Sequence, residues 1–434
     1  MSLISTATSG LMSSQVVLNM IGQNVANATT DGYSRLTATL STTSDGGVTV
    51  SSISRVVDDY LNSQLWSASS ETGYYTSYSE YLSAAETLLS SDTMGINTLL
   101  DDYYSALSAA SSSPDDDTLR QAVLSAAESL VSGFNYLYEN LSAQSTSVNE
   151  QLDSSVDSVN ELTTTIADLN AEIVALQARG EETSSLEDSR DAAITELAEM
   201  MEIDVTEQSD GSYTITLSQG QPLVSGSTAA TLSLDSDGSL SLAYQQQTYS
   251  VSDEVGGTIG GLQDYLSEVL EPTLTSLNTL AATVADDFNS LQSSGYNLDG
   301  DSGSALFTYD SDNAAGSLAI ADDFTTDDLA FSGSSTAGSS DNTNLLLMLD
   351  LQEDESDSYS SLVADIATQS SAASSALTAY SELVDSVESS IASTSGVNSD
   401  EEAANLLTYQ AAYEANAKVI TVAGELFDTV INMF

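Results

Sequence analysis

Two apolar stripes of helical spacing lie at opposite ends of this chain, and they constrain its fold more than any other feature. Near the start, Ile4, Ala7, Leu11, Ser14, Leu18, Ile21, Val25 and Ala28 alternate by three and four residues, the signature of a helix with one narrow seam. Near the end, Leu406, Gln410, Tyr413, Ala417, Ile420, Gly424, Phe427, Ile431 and Phe434 repeat the pattern. Gly10 and Gly22 weaken the first helix by about 1 kcal/mol each relative to alanine, and Asp31-Gly32 supplies its stop. Ser399-Asp400-Glu401-Glu402 reads as a capping box that starts the last helix, with Ser399 as the cap and Glu402 reaching back. Each helix would span roughly 45 Å. A helix with one apolar face must bury it, so the two seams are expected to pair with each other.

The segments between them read as a helical body with one change of character. Residues 55–110 have helical periodicity, with Trp66 and a tyrosine cluster at Tyr74, Tyr75, Tyr78 and Tyr81. Pro114 followed by three aspartates predicts a helix start with proline in the first turn. That helix runs on past Leu152, Val156, Val159, Ile166, Leu169, Ile173 and Leu176 to a glycine cap at Gly180, and a second helix over 186–201 turns back. Period-two alternation then sets in, as in Tyr213-Thr214-Ile215-Thr216-Leu217, with turn signals at Asp210-Gly211 and Asp237-Gly238. Helix returns over 259–294, with a break expected at Pro272. A Gly, Ser and Asp-rich stretch follows over 295–345, with a strand at 317–320, and a last long helix over 346–392. The fold class is mainly α with an inserted β domain. Its expected division is a terminal helical domain (1–35 with 396–434), a helical bundle (36–202, 259–294 and 346–395), and a β-rich outer part (203–258 with 295–345).

Composition removes most chemistry. Among 434 residues there is no histidine and no cysteine. Ser–His and Cys–His nucleophiles, imidazole or thiolate zinc sites and disulfides are therefore out. Sixty-five acids face six bases, for a formal charge of −59. Six cations cannot neutralise a phosphate array, so nucleic acid and anionic membranes are not expected partners. Repulsion of this size is screened over about 3 Å at 1 M salt against about 10 Å at 0.1 M. A halophilic setting is the expectation, for which the shortage of Lys and Arg speaks, and an acidic secreted surface kept soluble by repulsion is the alternative. No run approaches the roughly 18 apolar residues of a membrane span. Residues 1–34 hold no Lys or Arg, hence no basic leader region. The stretch Asn297–Gly303 resembles the start of a calcium loop, but Ser302 and Thr308 occupy the positions that require Gly and Glu, so it reads as an acidic turn. No phosphate or dinucleotide fingerprint is present, and no carboxylate pair stands out from the other acids. No catalytic residue, metal ligand or cofactor is expected.

The termini also carry a resemblance. Ser9-Gly10-Leu11, then Asn24-Val25-Ala26-Asn27-Ala28-Thr29-Thr30-Asp31-Gly32-Tyr33-Ser34-Arg35, resembles the N-terminal motif of the flagellar axial family of rod, hook and hook-associated proteins. The Gly32–Arg35 ending is similar to the hook-associated branch. So are Gly396–Glu402, Asn405-Leu406-Leu407, Tyr409-Gln410, Ala412-Tyr413 and Ala417–Ile420. Interior matches follow in order, among them Gly47–Val50, Pro114–Arg120, Gly180, Arg190-Asp191, Gly256-Gly257 and Phe288-Asn289. The chain looks short for the family, and Leu36 and Trp66 depart from its pattern.

The resemblance implies a structural subunit of the flagellum, not an enzyme. Its paired terminal helices would form an inner tube, and it would leave the cell through the flagellar type III channel without a cleaved signal, its termini folding on assembly. Implied partners are the hook protein, the second hook–filament junction protein, further copies in a helical ring, and an export chaperone at the C-terminal helix. The expected assembly interface comprises Leu11, Leu18, Ile21 and Val25 with Tyr413, Ile420, Phe427 and Ile431. Other axial proteins (hook or flagellin-like) and a secreted coiled-coil adhesin are the competing assignments.

Overall fold

The computed structural model describes residues 3–235, 238–252, 254–336 and 338–433. Eleven α-helices and eleven short strands are found among them. The first helix, α1 (Leu3–Ala26), leads through a turn into a hairpin of β1 (Leu36–Thr42) and β2 (Val48–Arg55). Then come α2 (Asp59–Leu89), α3 (Ile96–Ala110), α4 (Asp117–Gln177) and α5 (Ser184–Met200). The hairpin differs from the expectation, which places 36–55 in the bundle. Period-two alternation does mark it: Leu36, Ala38, Val48 and Val50 alternate with serines and threonines, and Leu36, Ala38, Val50 and Ile53 pack against α1.

Helix α4 is unbroken over 61 residues. Its first turn differs from the expectation: Pro114 precedes the helix in a turn, and the Asp116 carboxylate accepts from the amides of Thr118 and Leu119. The expected seam is buried at Leu152, Val156, Val159, Ile166 and Ile173. Gly180, in the left-handed region at φ +71°, stops the chain after α4, as only glycine adopts that conformation without strain.

The inserted β domain holds two antiparallel sheets. One is β3 (Ile203–Glu207), β4 (Tyr213–Leu217), β5 (Pro222–Ser225) and β6 (Thr228–Ala229); the other is β7 (Thr231–Leu234), β8 (Leu240–Tyr244) and β9 (Gln247–Val251). Of the two turn signals, Asp210-Gly211 forms the β3–β4 turn, whereas Asp237 lies outside the described residues. Tyr213, Ile215 and Leu217 point inward and the threonines between them do not, as a half-buried strand requires. Two asparagines on α4 act as substitute strand partners. Asn160 donates to the Leu232 carbonyl and accepts from its amide; Asn170 does the same for Tyr213.

After the insert, α6 (Gly257–Asp264) passes through one π-helical turn, Tyr265–Leu270, into α7 (Glu271–Ser294). Pro272 stands in the first turn of α7, where its missing amide explains the loss of regular pairing. The stretch 295–345 contains β10 (Phe307–Thr308), α8 (Ala314–Ser317), β11 (Ala319–Ile320) and the start of α9 (Thr343–Leu349). Ser317 ends a helix rather than beginning a strand. The chain closes with α10 (Gln352–Ser395) and α11 (Ser399–Ile431).

Contacts divide the molecule into two compact units. The first combines Met1–Gly73, Val156–Gly257 and Ala379–Phe434; the second combines Tyr74–Ser155 and Thr258–Thr378. This cuts the chain differently from the sequence-based division, which grouped 203–258 with 295–345. The β insert belongs to the unit of the terminal helices, held by Asn160 and Asn170. The stretch 295–345 belongs to the other unit, where Asn289 bonds Phe307 on both sides. There the buried Arg120 guanidinium donates to the carbonyls of Pro114, Thr326, Asp327 and Leu329.

Candidate assembly interface

Helices α1 and α11 pack along one another, and α1 also rests on the β1–β2 hairpin. The pair is antiparallel. Asn24 meets Glu402, Gly10 lies against Asn416, and Leu3 shares an apolar groove with Val419, Val422 and Leu426. This register leaves α11 longer than its partner, so Phe427, Val430 and Ile431 have no α1 residue opposite them.

The eight expected interface residues divide accordingly. Ile21 is buried at 1% exposure. Leu11, Leu18, Tyr413 and Ile420 are half-buried along the pair. Val25, Phe427 and Ile431 are 47, 62 and 56% exposed, so within one chain they pack on nothing extensive. Phe434 lies outside the described residues.

A second stripe on α1 escaped the sequence reading: Ser13, Val17, Met20 and Asn24 are buried. Val17, Met20 and Ile21 form a small core with Leu36, closed by Tyr33, Ala38, Val50, Ile53 and Tyr409. Ser13 donates to the Val48 carbonyl at 2.8 Å, and the Val48 amide donates to Ser9 Oγ at 3.2 Å. Serine and asparagine carry no weight in a hydrophobic count, so this face was invisible to one.

Asn24 is the polar centre of the site. It is 0% exposed and makes four hydrogen bonds. Nδ2 donates to the Leu36 carbonyl at 3.0 Å and to Glu402 Oε1 at 3.1 Å. Oδ1 accepts from the Leu36 amide and the Tyr33 hydroxyl, each at 2.9 Å. Burial, then Asp188, Glu182 and Glu402, push the Tyr33 hydroxyl up to about 12, so it remains a donor at any physiological pH. Glu402 is turned into this cluster instead of reaching back to cap its own helix. The cap is Asn398, whose side chain accepts from the amides of Asp400 and Glu401.

The hairpin is fastened to α5 by charge. Arg55 donates to Glu187 at 2.9 Å, Asp188 at 2.7 Å and Asp191 at 2.8 Å. Burial works against its positive charge, but Asp191 and Asp188 outweigh that and raise its pKa. The Ser34 amide adds a bond to Asp188, and the Arg35 amide one to the Ser395 carbonyl. Two more of the six bases, Arg120 and Arg190, are buried at 1 and 2% exposure. Half of the positive charge is thus consumed internally, and the acids outside go largely uncompensated.

Against that background α1 is exceptional. From Leu3 to Ala26 it contains no ionisable side chain, in a chain with 65 acids. It nevertheless exposes Leu3 at 69%, Met12 at 61% and Val25 at 47%. Among the described residues no helix is long and apolar enough to cross a membrane, and no acid cluster could hold a metal ion. In the Asn297 turn, the side-chain oxygen accepts from the amides of Asp299 and Asp301.

Residues 82–307 match the model of the flagellar hook-associated protein FlgK helical domain, and 388–433 match that of the flagellar basal body rod FlgEFG protein C-terminal region. The chain is 28% identical to flagellar hook-associated protein 1 of Escherichia coli (strain K12), with the whole of both chains covered. That alignment runs over 544 residues, so the relative has segments without counterpart here. Flagellar hook-associated protein 1 of Bacillus subtilis (strain 168) is 25% identical over 99% of this chain and 97% of its own. Among solved structures, the flagellar hook junction protein FlgK from Burkholderia pseudomallei superposes with a TM-score of 0.52 at 29% identity. The match covers 57% of this chain and 47% of that one.

Proposed function

This chain belongs to the FlgK family of flagellar hook-associated proteins, a structural family and not one of enzymes, and we propose that it forms the junction between hook and filament. In this reading it leaves the cell through the flagellar type III channel and assembles as a ring of identical copies. The hook protein lies on one side and the second junction protein on the other. The α1–α11 pair, with residues 1–35 and 396–434, faces the inner tube. Before export the exposed stripe of α11 is the part a chaperone would hold.

One observation carries the reading: the uncharged, partly exposed α1. In a chain with 65 acids this 24-residue helix stays neutral and exposes apolar side chains among uncharged polar ones. Solubility alone would favour the opposite. A face that meets other subunits in a repeating heterologous contact needs apolar surface without like-charge repulsion.

Leu18→Asp or Ile420→Asp, each placing a carboxylate in a half-buried seam, is expected to abolish junction assembly and motility while the rest of the chain keeps its helical circular dichroism. Normal motility in both variants would refute the proposal. The acidic remainder adds a second arm. Purified subunits should associate at 2 M salt and fail to do so at 50 mM, and equal association at both would remove the halophilic element of the reading.

A further inference from the structure

We infer that two contacts, Glu402 with Asn24 and Asn416 with Gly10, set the axial register of α11 on α1. They thereby fix the relative height of the two exposed apolar stripes that a second copy would meet. The inference rests on the assembly reading for that consequence, not for the register itself.

The two contacts are spaced alike. Asn24 and Gly10 are fourteen residues apart on α1, and Glu402 and Asn416 are fourteen apart on α11, which is two heptads on each helix. Elsewhere the seam is built of small or apolar groups such as Ala7, Leu11, Leu18, Ala417 and Ile420. Such a seam tolerates a slip of one heptad, because apolar contact is non-directional and repeats at that period. Neither of the two contacts survives a slip. The first is polar: Glu402 is 3% exposed and its Oε1 accepts from Asn24, while Oε2 has no partner. A slip would bury the carboxylate with no donor at all, the costliest arrangement for such a group. The second is steric. A Cβ on residue 10 would stand 2.8 Å from the Asn416 amide nitrogen, so opposite any larger residue the Asn416 side chain must swing out of its present place, where it donates to the Ala412 carbonyl.

A buried carboxylate is a poor device for stability, since an apolar replacement of similar volume often serves better. Its cost is intelligible as specification, by the same logic that lets a single buried asparagine fix the alignment of a coiled coil. Here α1 has no ionisable group of its own, so surface ion pairs with α11 cannot do the work.

The absence of cysteine makes a direct test clean. Spin labels are attached at Asn19→Cys and Thr421→Cys, both exposed, and the distance between them is read by pulsed electron resonance on the full chain in 2 M salt. The otherwise unaltered chain should give one narrow distance. The combined variant Glu402→Met with Asn416→Ala, which keeps two good helix formers in α11, should add a second population displaced by about 10 Å, one heptad at about 1.5 Å per residue. Glu402→Gln, which retains the acceptor, should restore the single distance. A single unshifted distance in the combined variant would overturn the inference. So would loss of any defined distance there, because the contacts would then hold the pair together instead of aligning it. If the distance splits but motility is undiminished, the register assignment stands and its role in selecting a neighbour falls.

Discussion

Helices α4 and α1 both carry an apolar stripe at three–four spacing, and they dispose of it in opposite ways. Along α4 the stripe is covered from end to end: Leu130, Phe134, Leu137, Leu141, Leu152, Val159, Ile166 and Ile173 are all at 0% exposure. Along α1 the cover stops at α11 and the β1–β2 hairpin, and Leu3, Met12 and Val25 stay largely in solvent. The polar faces differ too. Helix α4 carries acids outward, whereas α1 has none. A helix whose apolar face is complete within its own chain contributes to folding. One whose face is half-used and unguarded by charge is incomplete until something else covers it. The covered residues of α4 keep the chain folded; in the proposed reading, the exposed ones of α1 are those another copy covers.

The largest expected effect lies on the α4 side. Phe134→Ala removes a ring with no exposed surface and leaves a cavity, at a cost of about 3–5 kcal/mol. The measurement is denaturant unfolding in molar salt. A loss below 1 kcal/mol would mean that the α4 core relaxes around the gap, and the contrast with α1 would weaken.

The next effect concerns acids inside the fold. In the unit of terminal helices, Asp188 and Asp191 have Arg55. In the other unit Glu355, at 3% exposure, has only the Tyr104 hydroxyl at 2.6 Å, and its second oxygen is unbonded. Burial pushes the Glu355 carboxyl up to about 7. The Tyr104 bond opposes that, while Asp287 and Asp354 add to it. A carboxyl that holds its proton more tightly when folded stabilises the fold below its unfolded pKa, and that contribution is lost as pH rises toward the folded value. Stability should therefore fall between about pH 4.5 and 7, by up to about 3 kcal/mol from this group. Glu355→Gln should be the more stable protein at pH 8 and equal to the parent near pH 4. Identical pH profiles for the two would show that Glu355 is ionised in the folded protein.

How much of this was legible beforehand follows the same physics. Strong periodicity over many residues gave α4, α5, the alternating strands of the β insert and the two terminal seams. The β1–β2 hairpin was legible, in the alternation of Leu36, Ala38 and Leu40 and of Val48 and Val50 about the Asp45-Gly46 turn, and a division that runs the bundle from residue 36 overrides it. Capping preference alone puts the cap of α11 one residue late, because Ser399 and Asn398 are both good caps and only the bonds to Asp400 and Glu401 decide between them. The buried polar contacts of the interface were least visible. Glu402 looked like a capping residue, and its actual partner Asn24 is 378 residues away, a pairing that no local pattern encodes. Phe427 and Ile431 were read as seam residues because their spacing is right. They are exposed because α11 is longer than the helix it pairs with.

The smallest effect on stability is also the sharpest test of the comparison. Met12→Asp adds a charge to α1 at a side chain already 61% exposed, on the face that packs on neither α11 nor the hairpin. Little apolar burial is lost, and in molar salt one more acid on a chain of −59 is well screened. Unfolding free energy should therefore change by no more than about 0.5 kcal/mol. Assembly should respond quite differently, because in a ring of copies the same carboxylate would be buried once per subunit, in a contact that offers it no cation. Motility lost with stability unchanged places the residue on a subunit interface. Stability lost along with motility would mean that α1 is already complete in the free chain, and the distinction from α4 would collapse.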